Sequence, residues 1–211
     1  MPGASVLAQG VPPMCTLPIA SMTVRLTDGT VVELDQATAL GAQRYAPFGW
    51  NSLRAWLLEH VAELHSPPCL GGWDVSIASG SMYGIDAVLR LLLNFGDAVL
   101  CEEFTFLASK DLFLASGAVL LPVQMDGDGV LPSAVEAACE ARLRSGQPLP
   151  KLLYTIPVGQ NPTGTRLHPD RYAPIYALAQ RYGFAILEDD AYFYMQVRPP
   201  FPFSPPSPHL P

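Results

Sequence analysis

The chain has 211 residues, enough for one domain with a sizeable core or one domain plus a small appendage. Apolar residues make up 49%, so a folded core is expected rather than disorder. Net charge is -7 with 12 Lys plus Arg and no basic stripe, which argues against a nucleic-acid partner. No run reaches the roughly 18 apolar residues of a membrane span. No basic start followed by an apolar core opens the N-terminus, so a reduced, cytoplasmic setting is expected. Cys15, Cys69, Cys101 and Cys139 lie far apart, form no CxxC pair, and are expected to be buried thiols. His60 and His65 are five residues apart, which does not suit two ligands on one helical face, so no metal is expected.

Residues 1–20 carry Pro and Gly at five of their first 13 positions and read as an extended arm. Val24–Leu34, with Asp28-Gly29 in its middle, reads as a hairpin. Ser52–Leu64 has Leu53, Trp56, Leu57, Val61 and Leu64 at helical spacing, with Asn51 or Ser52 as its expected cap and Pro67-Pro68 as its stop. From residue 73 short apolar runs alternate with helical stretches. Expected strands are Val75–Ala78, Ala98–Cys101, Ala118–Val123, Lys151–Ile156 and Phe184–Leu187. Expected helices are Gly84–Leu93, Phe106–Ser116, Pro132–Arg144 and Pro169–Tyr182. That alternation predicts an α/β fold, a mainly parallel sheet flanked by helices. Ligands of such sheets sit at the carboxyl ends of strands. The final 13 residues, Pro199–Pro211, hold seven prolines and cannot form a helix or an inner strand.

Four loops that follow strands carry unusual residues. Ser79-Gly80-Ser81-Met82-Tyr83-Gly84 joins a strand to a helix, where glycines allow a tight turn and free N–H groups suit an anion. An ordinary turn has the same composition. Cys101-Glu102-Glu103-Phe104-Thr105-Phe106 places an aromatic beyond a strand end, either to stack on a flat ring or to fill the core. Gln160-Asn161-Pro162-Thr163-Gly164 offers a side-chain amide on a fixed turn, or is an ordinary turn before the helix at Pro169. Glu188-Asp189-Asp190-Ala191-Tyr192 sets three carboxylates at the mouth of an apolar strand, so at least one should meet a cation or strong donor; a metal site or a solvated cap is the alternative.

The order and spacing of these loops resemble the large domain of the fold-type-I pyridoxal-phosphate (PLP) enzymes. The likeness is to the class I/II aminotransferases, in the group of α-aminoadipate, kynurenine and aromatic amino-acid aminotransferases. It runs from about Val6 to Gln196 and includes AQGVPP, QRYAPFGWNSLRAWL, LHSPP, SGSMYG, CEEFTF, YTIPVGQNPTG and ILEDDAY. The resemblance implies the following roles. Ser81 and the backbone at Met82 hold the cofactor phosphate, with Met82 replacing a residue that is often polar. Phe106 stacks on the pyridine ring in place of a more frequent Tyr. Asn161 bonds the ring's phenolic oxygen and meets the substrate carboxylate region. Asp189 pairs with the protonated ring nitrogen, and Tyr192 donates to the phenolic oxygen. Tyr45 reaches a neighbouring subunit's phosphate, and Gly10 lines the substrate pocket. The implied partners are an amino acid, a 2-oxo acid and a second copy of the chain.

By the resemblance, residues 1–72 form an arm, hairpin and helix belonging to the small domain and dimer interface. Residues 73–198 form an incomplete PLP-binding domain, and 199–211 a divergent tail. The family's Schiff-base lysine follows DDAY by some tens of residues. Here 19 residues follow Tyr192 and none is Lys; the chain's lysines are Lys110 and Lys151. No catalytic residue is therefore assigned, and the chain alone is expected to be inactive and poorly stable. Gln196-Val197-Arg198 can be encoded with a splice-donor pattern, so the tail is expected to be translated intron. The alternative is a lysine-free module that binds PLP weakly or pairs with a full-length subunit. A DNA-binding fusion lacks its helix-turn-helix and basic charge. Other reactions share this fold, which does not fix chemistry.

Overall fold

The computed structural model describes residues 10, 12–67 and 71–196. The AQGVPP arm apart from Gly10, Pro12 and Pro13, and also Pro68, Cys69 and the Pro-rich tail, lies outside the described residues. Two compact units, Met1–Ile77 and Ala78–Pro211, make up the chain.

In the first unit a single 3-10 turn, Met14–Thr16, precedes a hairpin of β1 (Met22–Arg25) and β2 (Val31–Leu34). Val24 lies opposite Val32 in the antiparallel register. The tip is closed by Leu26 N–H donating to Thr30 O at 2.8 Å, and Gly29 adopts φ 89°, a conformation that favours glycine. Helix α1, Gln36–Ala42, was not expected from the sequence; Asp35 caps it by accepting from Thr38 N–H at 2.8 Å.

Helix α2, Asn51–His65, extends the expected helix by one residue at each end. Neither Asn51 nor Ser52 caps it, because both lie inside the helix. The cap is Trp50, which makes no side-chain cap bond. Packing decides this: the Trp50 ring lies so close to Gly41 that a Cβ there would sit 2.6 Å from the ring. The helix ends at Ser66, which takes the left-handed conformation with φ 43° before Pro67.

The expected strand Val75–Ala78 does not form. Its polar backbone atoms are used elsewhere: Val75 O accepts from Arg54 Nε at 2.7 Å, and Ile77 N–H donates to Phe48 O at 3.0 Å. The Arg54 guanidinium also spans both Asp74 oxygens at 2.7 and 2.8 Å. An extended run of this length needs a neighbouring ladder, and a side chain took its acceptor first.

Among the described residues the second unit is built on four parallel strands: β3 (Ala98–Glu102), β4 (Val119–Val123), β7 (Leu152–Thr155) and β8 (Ala185–Glu188), in the order β4-β3-β7-β8. Two short strands that the sequence did not suggest, β5 (Met125–Asp126) and β6 (Gly129–Val130), pair antiparallel. Between the strands run α3 (Ser81–Leu92), α4 (Leu107–Ala115), α5 (Pro132–Arg144) and α6 (Pro169–Tyr182).

Strand alternation sorts the core into two layers. Val99, Cys101, Leu152 and Tyr154 pack with Ile85 and Leu89 of α3 and Phe113 of α4. Leu100 and Leu153 face the other way, onto Val135 and Cys139 of α5 and Ile175, Ala179 and Tyr182 of α6. Every residue of β3 and β7 is buried, as a sheet covered on both faces requires. Each fully buried Leu or Val there contributes roughly 1.5–3 kcal/mol, so the two central strands anchor the unit. Among the described residues β8 pairs with β7 only, and its four residues are exposed or half-buried. Cys101 and Cys139 are buried thiols as expected, whereas Cys15 is exposed on the arm, where no core surrounds it.

Arg171, on the first turn of α6, straddles both Asp126 oxygens at 2.7 and 2.8 Å and donates to Gly129 O at 2.7 Å. It thereby ties the β5–β6 hairpin to the helix. The guanidinium, helped by Asp128 N–H, holds the Asp126 carboxyl down at about 2, below its ordinary 3.8. A depressed carboxyl adds stability above its unfolded value and loses it as pH falls through the folded one. Urea midpoints of the native chain should therefore decline between about pH 4 and pH 2 more steeply than those of Asp126→Asn. Parallel slopes would remove this pair from the account.

Candidate cofactor site

The second unit gathers its unusual loops at the carboxyl ends of β3, β7 and β8, where open α/β sheets hold ligands. Helix α3 begins there. Its cap is Gly80, with φ 91° and ψ 165°, and the first intrahelical bond is Gly84 N–H to Gly80 O at 3.3 Å. The N–H groups of Ser81, Met82 and Tyr83 precede that bond, so they point out of the helix end with the positive end of its dipole. The helix starts three residues earlier than the expected Gly84, which brings Ser81 into its first turn. Ser81 is exposed and Met82 half-buried.

Phe106 caps α4, is half-buried, and packs on the layer that holds Tyr154. Met82 and Tyr192 pack on the same layer. Asp189 follows β8 directly. Its N–H donates to Thr155 O at 2.9 Å, continuing the ladder, and its Oδ2 accepts from the Tyr154 hydroxyl at 2.8 Å. This is the strong donor that a carboxylate at the mouth of an apolar strand required. Two residues before Asp189, Leu187 packs on the Tyr154 layer, so period-two alternation puts Asp189 on that face too.

Asn161 is half-buried in the turn after β7, joined to Pro162 by a cis peptide bond. The turn is held from beneath by a buried carboxylate. Glu102, only 2% exposed, accepts from Thr155 Oγ1 at 2.6 Å, Gln160 Nε2 at 2.9 Å and Ile156 N–H at 3.3 Å. Gln160 also donates to Phe104 O and accepts from Thr163 N–H at 2.9 Å and Thr163 Oγ1 at 2.6 Å. Burial pushes the Glu102 carboxyl above its ordinary value, and the three donors work against that rise. Gly159 brings the turn against Tyr192: a Cβ at this position, with φ 58°, would lie 3.2 Å from Tyr192 Cβ. The Asn161 turn and the Tyr192 turn are thus packed together.

The structure therefore brings Met82, Phe106, Asp189 and Tyr192 to one sheet face, with Ser81 at the helix end and Asn161 on the adjoining turn. Tyr45 belongs to the first unit and is 75% exposed. Gly10, also of that unit, is exposed with no atom within 4 Å of a built Cβ. Lys151 is exposed at the amino end of β7, the end opposite Asn161. Lys110 is exposed one turn into α4.

Sequence reasoning missed Tyr154, Ser109, Glu102 and Gln160. A signal for Tyr154 existed: it shares the alternation of Leu152 and Ile156, so a polar hydroxyl was being sent to a buried face. Glu102 was quoted within a motif but had no distinguishing pattern, because its partners lie 53 and 58 residues away.

A groove of about 500 Å³ lies along the outer edge of β8, lined by Tyr176, Phe184, Ile186 and Glu188. Ile186 packs on the α5–α6 layer, which places the groove on the face opposite Asp189. The donor set itself points to the other face. An N-terminal helix turn suits a phosphate, a carboxylate oriented by Tyr154 suits a protonated ring nitrogen, and Phe106 suits a flat ring. Thr105 Oγ1, next to Phe106, is buried with no hydrogen-bond partner among the described residues, a spare polar atom of the kind a polar ligand satisfies. These residues fit PLP.

Similar proteins agree with that chemistry. An aromatic amino acid aminotransferase of Schizosaccharomyces pombe, C1773.13, is 37% identical over 149 residues, covering 71% of this chain and 31% of the relative. The mitochondrial kynurenine/alpha-aminoadipate aminotransferase of Mus musculus is 31% identical over 207 residues, covering 92% of this chain and 49% of the relative. The crystal structure of aminotransferase Aro8 from Candida albicans superposes with a TM-score of 0.82 at 30% identity, over 93% of this chain and 45% of that one. The chain thus spans from under a third to about half the length of these relatives. The profile of aminotransferase class I and II matches residues 51–200, from the start of α2 past the turn that carries Asp189 and Tyr192. The chain belongs to the class I and II aminotransferases, whose cofactor is pyridoxal 5'-phosphate.

Proposed function

We propose that this chain carries the cofactor-holding part of a PLP-dependent aminotransferase that moves an amino group from an aromatic or α-aminoadipate-like amino acid to a 2-oxo acid. The observation that carries the reading is Asp189. It stands at the carboxyl end of a parallel strand, oriented by a buried tyrosine, on the sheet face that also holds Phe106 and Tyr192. When bound, the cofactor supplies an electron sink for the amino-acid α-carbon. Asp189 keeps the proton on the ring nitrogen. The first turn of α3, with Ser81 and the Met82 backbone, holds the phosphate. Phe106 covers the ring, while Asn161 and Tyr192 hold its phenolic oxygen. Asn161 also meets the substrate carboxylate region. The working enzyme is a homodimer in which Tyr45, largely exposed here, reaches the neighbouring subunit's phosphate.

This chain by itself does not transaminate at the rate of a complete relative, because Lys151 lies at the amino end of β7 and Lys110 is an exposed residue of α4. Pyridoxamine 5'-phosphate, the amine form of the cofactor, needs no lysine to bind. The test is therefore to titrate the full chain with it by fluorescence and to assay amino transfer from aromatic amino acids and α-aminoadipate to 2-oxoglutarate. Saturable binding without turnover is the expected result. No binding defeats the site assignment, and turnover defeats the claim of inactivity. A cytoplasmic location is part of the same proposal. The mouse relative is mitochondrial by name, so cell fractionation decides.

A further inference from the structure

We infer that Tyr154 is a positioning residue for the cofactor, acting through Asp189. The inference rests on the site proposed above, and it concerns the first residue of YTIPVGQNPTG, to which the resemblance gave no role. Tyr154 is 0% exposed, in the middle of the layer between the sheet and α3–α4. Its ring meets Phe113 edge-on, with centroids 5.0 Å apart, so the ring cannot swing. The hydroxyl lies 2.8 Å from Asp189 Oδ2 and 3.0 Å from Ser109 Oγ.

Proton bookkeeping settles the direction. A phenol has one hydrogen, and an ionised carboxylate can only accept. The Tyr154 proton therefore goes to Asp189, and Ser109 turns its own hydrogen to the Tyr154 oxygen. Ser109 is itself fully buried on α4, and with its hydrogen given to Tyr154 its Oγ meets Met82 Sδ, 3.8 Å away, in van der Waals contact only. The hydrogen-bonded set is thus Ser109, Tyr154 and Asp189, ending at the carboxylate. Occupying Oδ2 fixes the carboxylate plane and leaves Oδ1 for the ring nitrogen. A carboxylate held in this way binds the protonated ring better than one free to rotate, because less freedom is lost on binding.

The test uses the full chain and pyridoxamine 5'-phosphate labelled with ¹⁵N in its ring. Tyr154→Phe keeps the packed ring and removes only the hydroxyl. Binding should weaken about tenfold, the size of one hydrogen bond to a charged group. If the loss falls on the protonated ring alone, the pH midpoint of the bound ring nitrogen should drop by about one unit. Tyr182→Phe is the control: it removes another tyrosine hydroxyl, part-buried and bonded to Glu140 at 2.5 Å in the opposite layer, and should leave that midpoint in place. Ser109→Ala, which disturbs the Tyr154 oxygen without touching its ring, should weaken binding by about two- to threefold, and it keeps the question answerable if Tyr154→Phe does not fold. Unchanged affinity and midpoint in Tyr154→Phe, or in Ser109→Ala if that is the variant that folds, overturn the positioning role and leave the cofactor site standing. Absence of binding by the native chain overturns both.

Discussion

Asp189→Ala is expected to weaken pyridoxamine 5'-phosphate binding to the chain by about a hundredfold, roughly 3 kcal/mol. The loss is larger than for a neutral hydrogen bond because the proposed partner, a protonated ring nitrogen, would lose its counter-ion. A second cost falls on the protein. Tyr154 would lose its charged acceptor and turn its proton to Ser109 Oγ, 3.0 Å away, which costs about 1 kcal/mol of stability. The two effects separate on measurement. Binding titration reads the first, and urea denaturation without ligand reads the second. Asp189→Asn should restore most of the stability, since an amide oxygen still accepts from Tyr154, while leaving binding weak. Equal binding by the native chain and both variants would remove Asp189 from the cofactor site.

Glu102→Ala is expected to be the most damaging single change to the Asn161 turn. Three donors would lose their acceptor at once: Thr155 Oγ1, Gln160 Nε2 and Ile156 N–H. Unsatisfied donors cost about 1–3 kcal/mol each, and relief from burying a carboxyl offsets part of that. A net loss of about 3 kcal/mol should lower Tm by roughly 10 °C for a chain of this size. Its pH dependence has a definite sign. The Glu102 carboxyl is raised above its ordinary 4.5, chiefly by burial. A group with a raised folded value contributes stability that is fully present below the unfolded value and is lost as pH rises through the folded one. The stability gap between the native chain and Glu102→Ala should therefore be widest in acid and narrow toward neutral pH. A gap that widens with pH would mean the carboxylate is better solvated than its surroundings allow.

Much of the architecture was legible because it depends on neighbours in sequence. The helix at Pro132–Arg144 starts at a proline and the one at Pro169–Tyr182 also ends at a glycine, and both ends follow from backbone chemistry. The buried strands announced themselves as short apolar runs. Where sequence reasoning slipped, a distant partner had intervened. Val75–Ala78 has strand composition, but Arg54 and Phe48 take its backbone atoms before any strand can. The cap of α2 went to Trp50 over two better capping residues, because its ring has a place to pack against Gly41. Helix α1 went unseen because it is only seven residues long and has too few turns to show a period.

By itself the sequence determined the α/β layering, the order of the loops and the loop residues suited to phosphate, ring and carboxylate chemistry. Each is a property of a short stretch, written in spacing, capping residues and turn formers. Tertiary structure alone decided how those groups are held. Tyr154 meets an aspartate 35 residues later, and Glu102 meets a glutamine 58 residues later. These bonds form because parallel strands bring distant segments into register and alternate their side chains between two faces. A hydroxyl sent to one face and a carboxylate sent to the other find partners there. Which partners they find depends on strand order, and strand order is fixed by the whole domain packing at once.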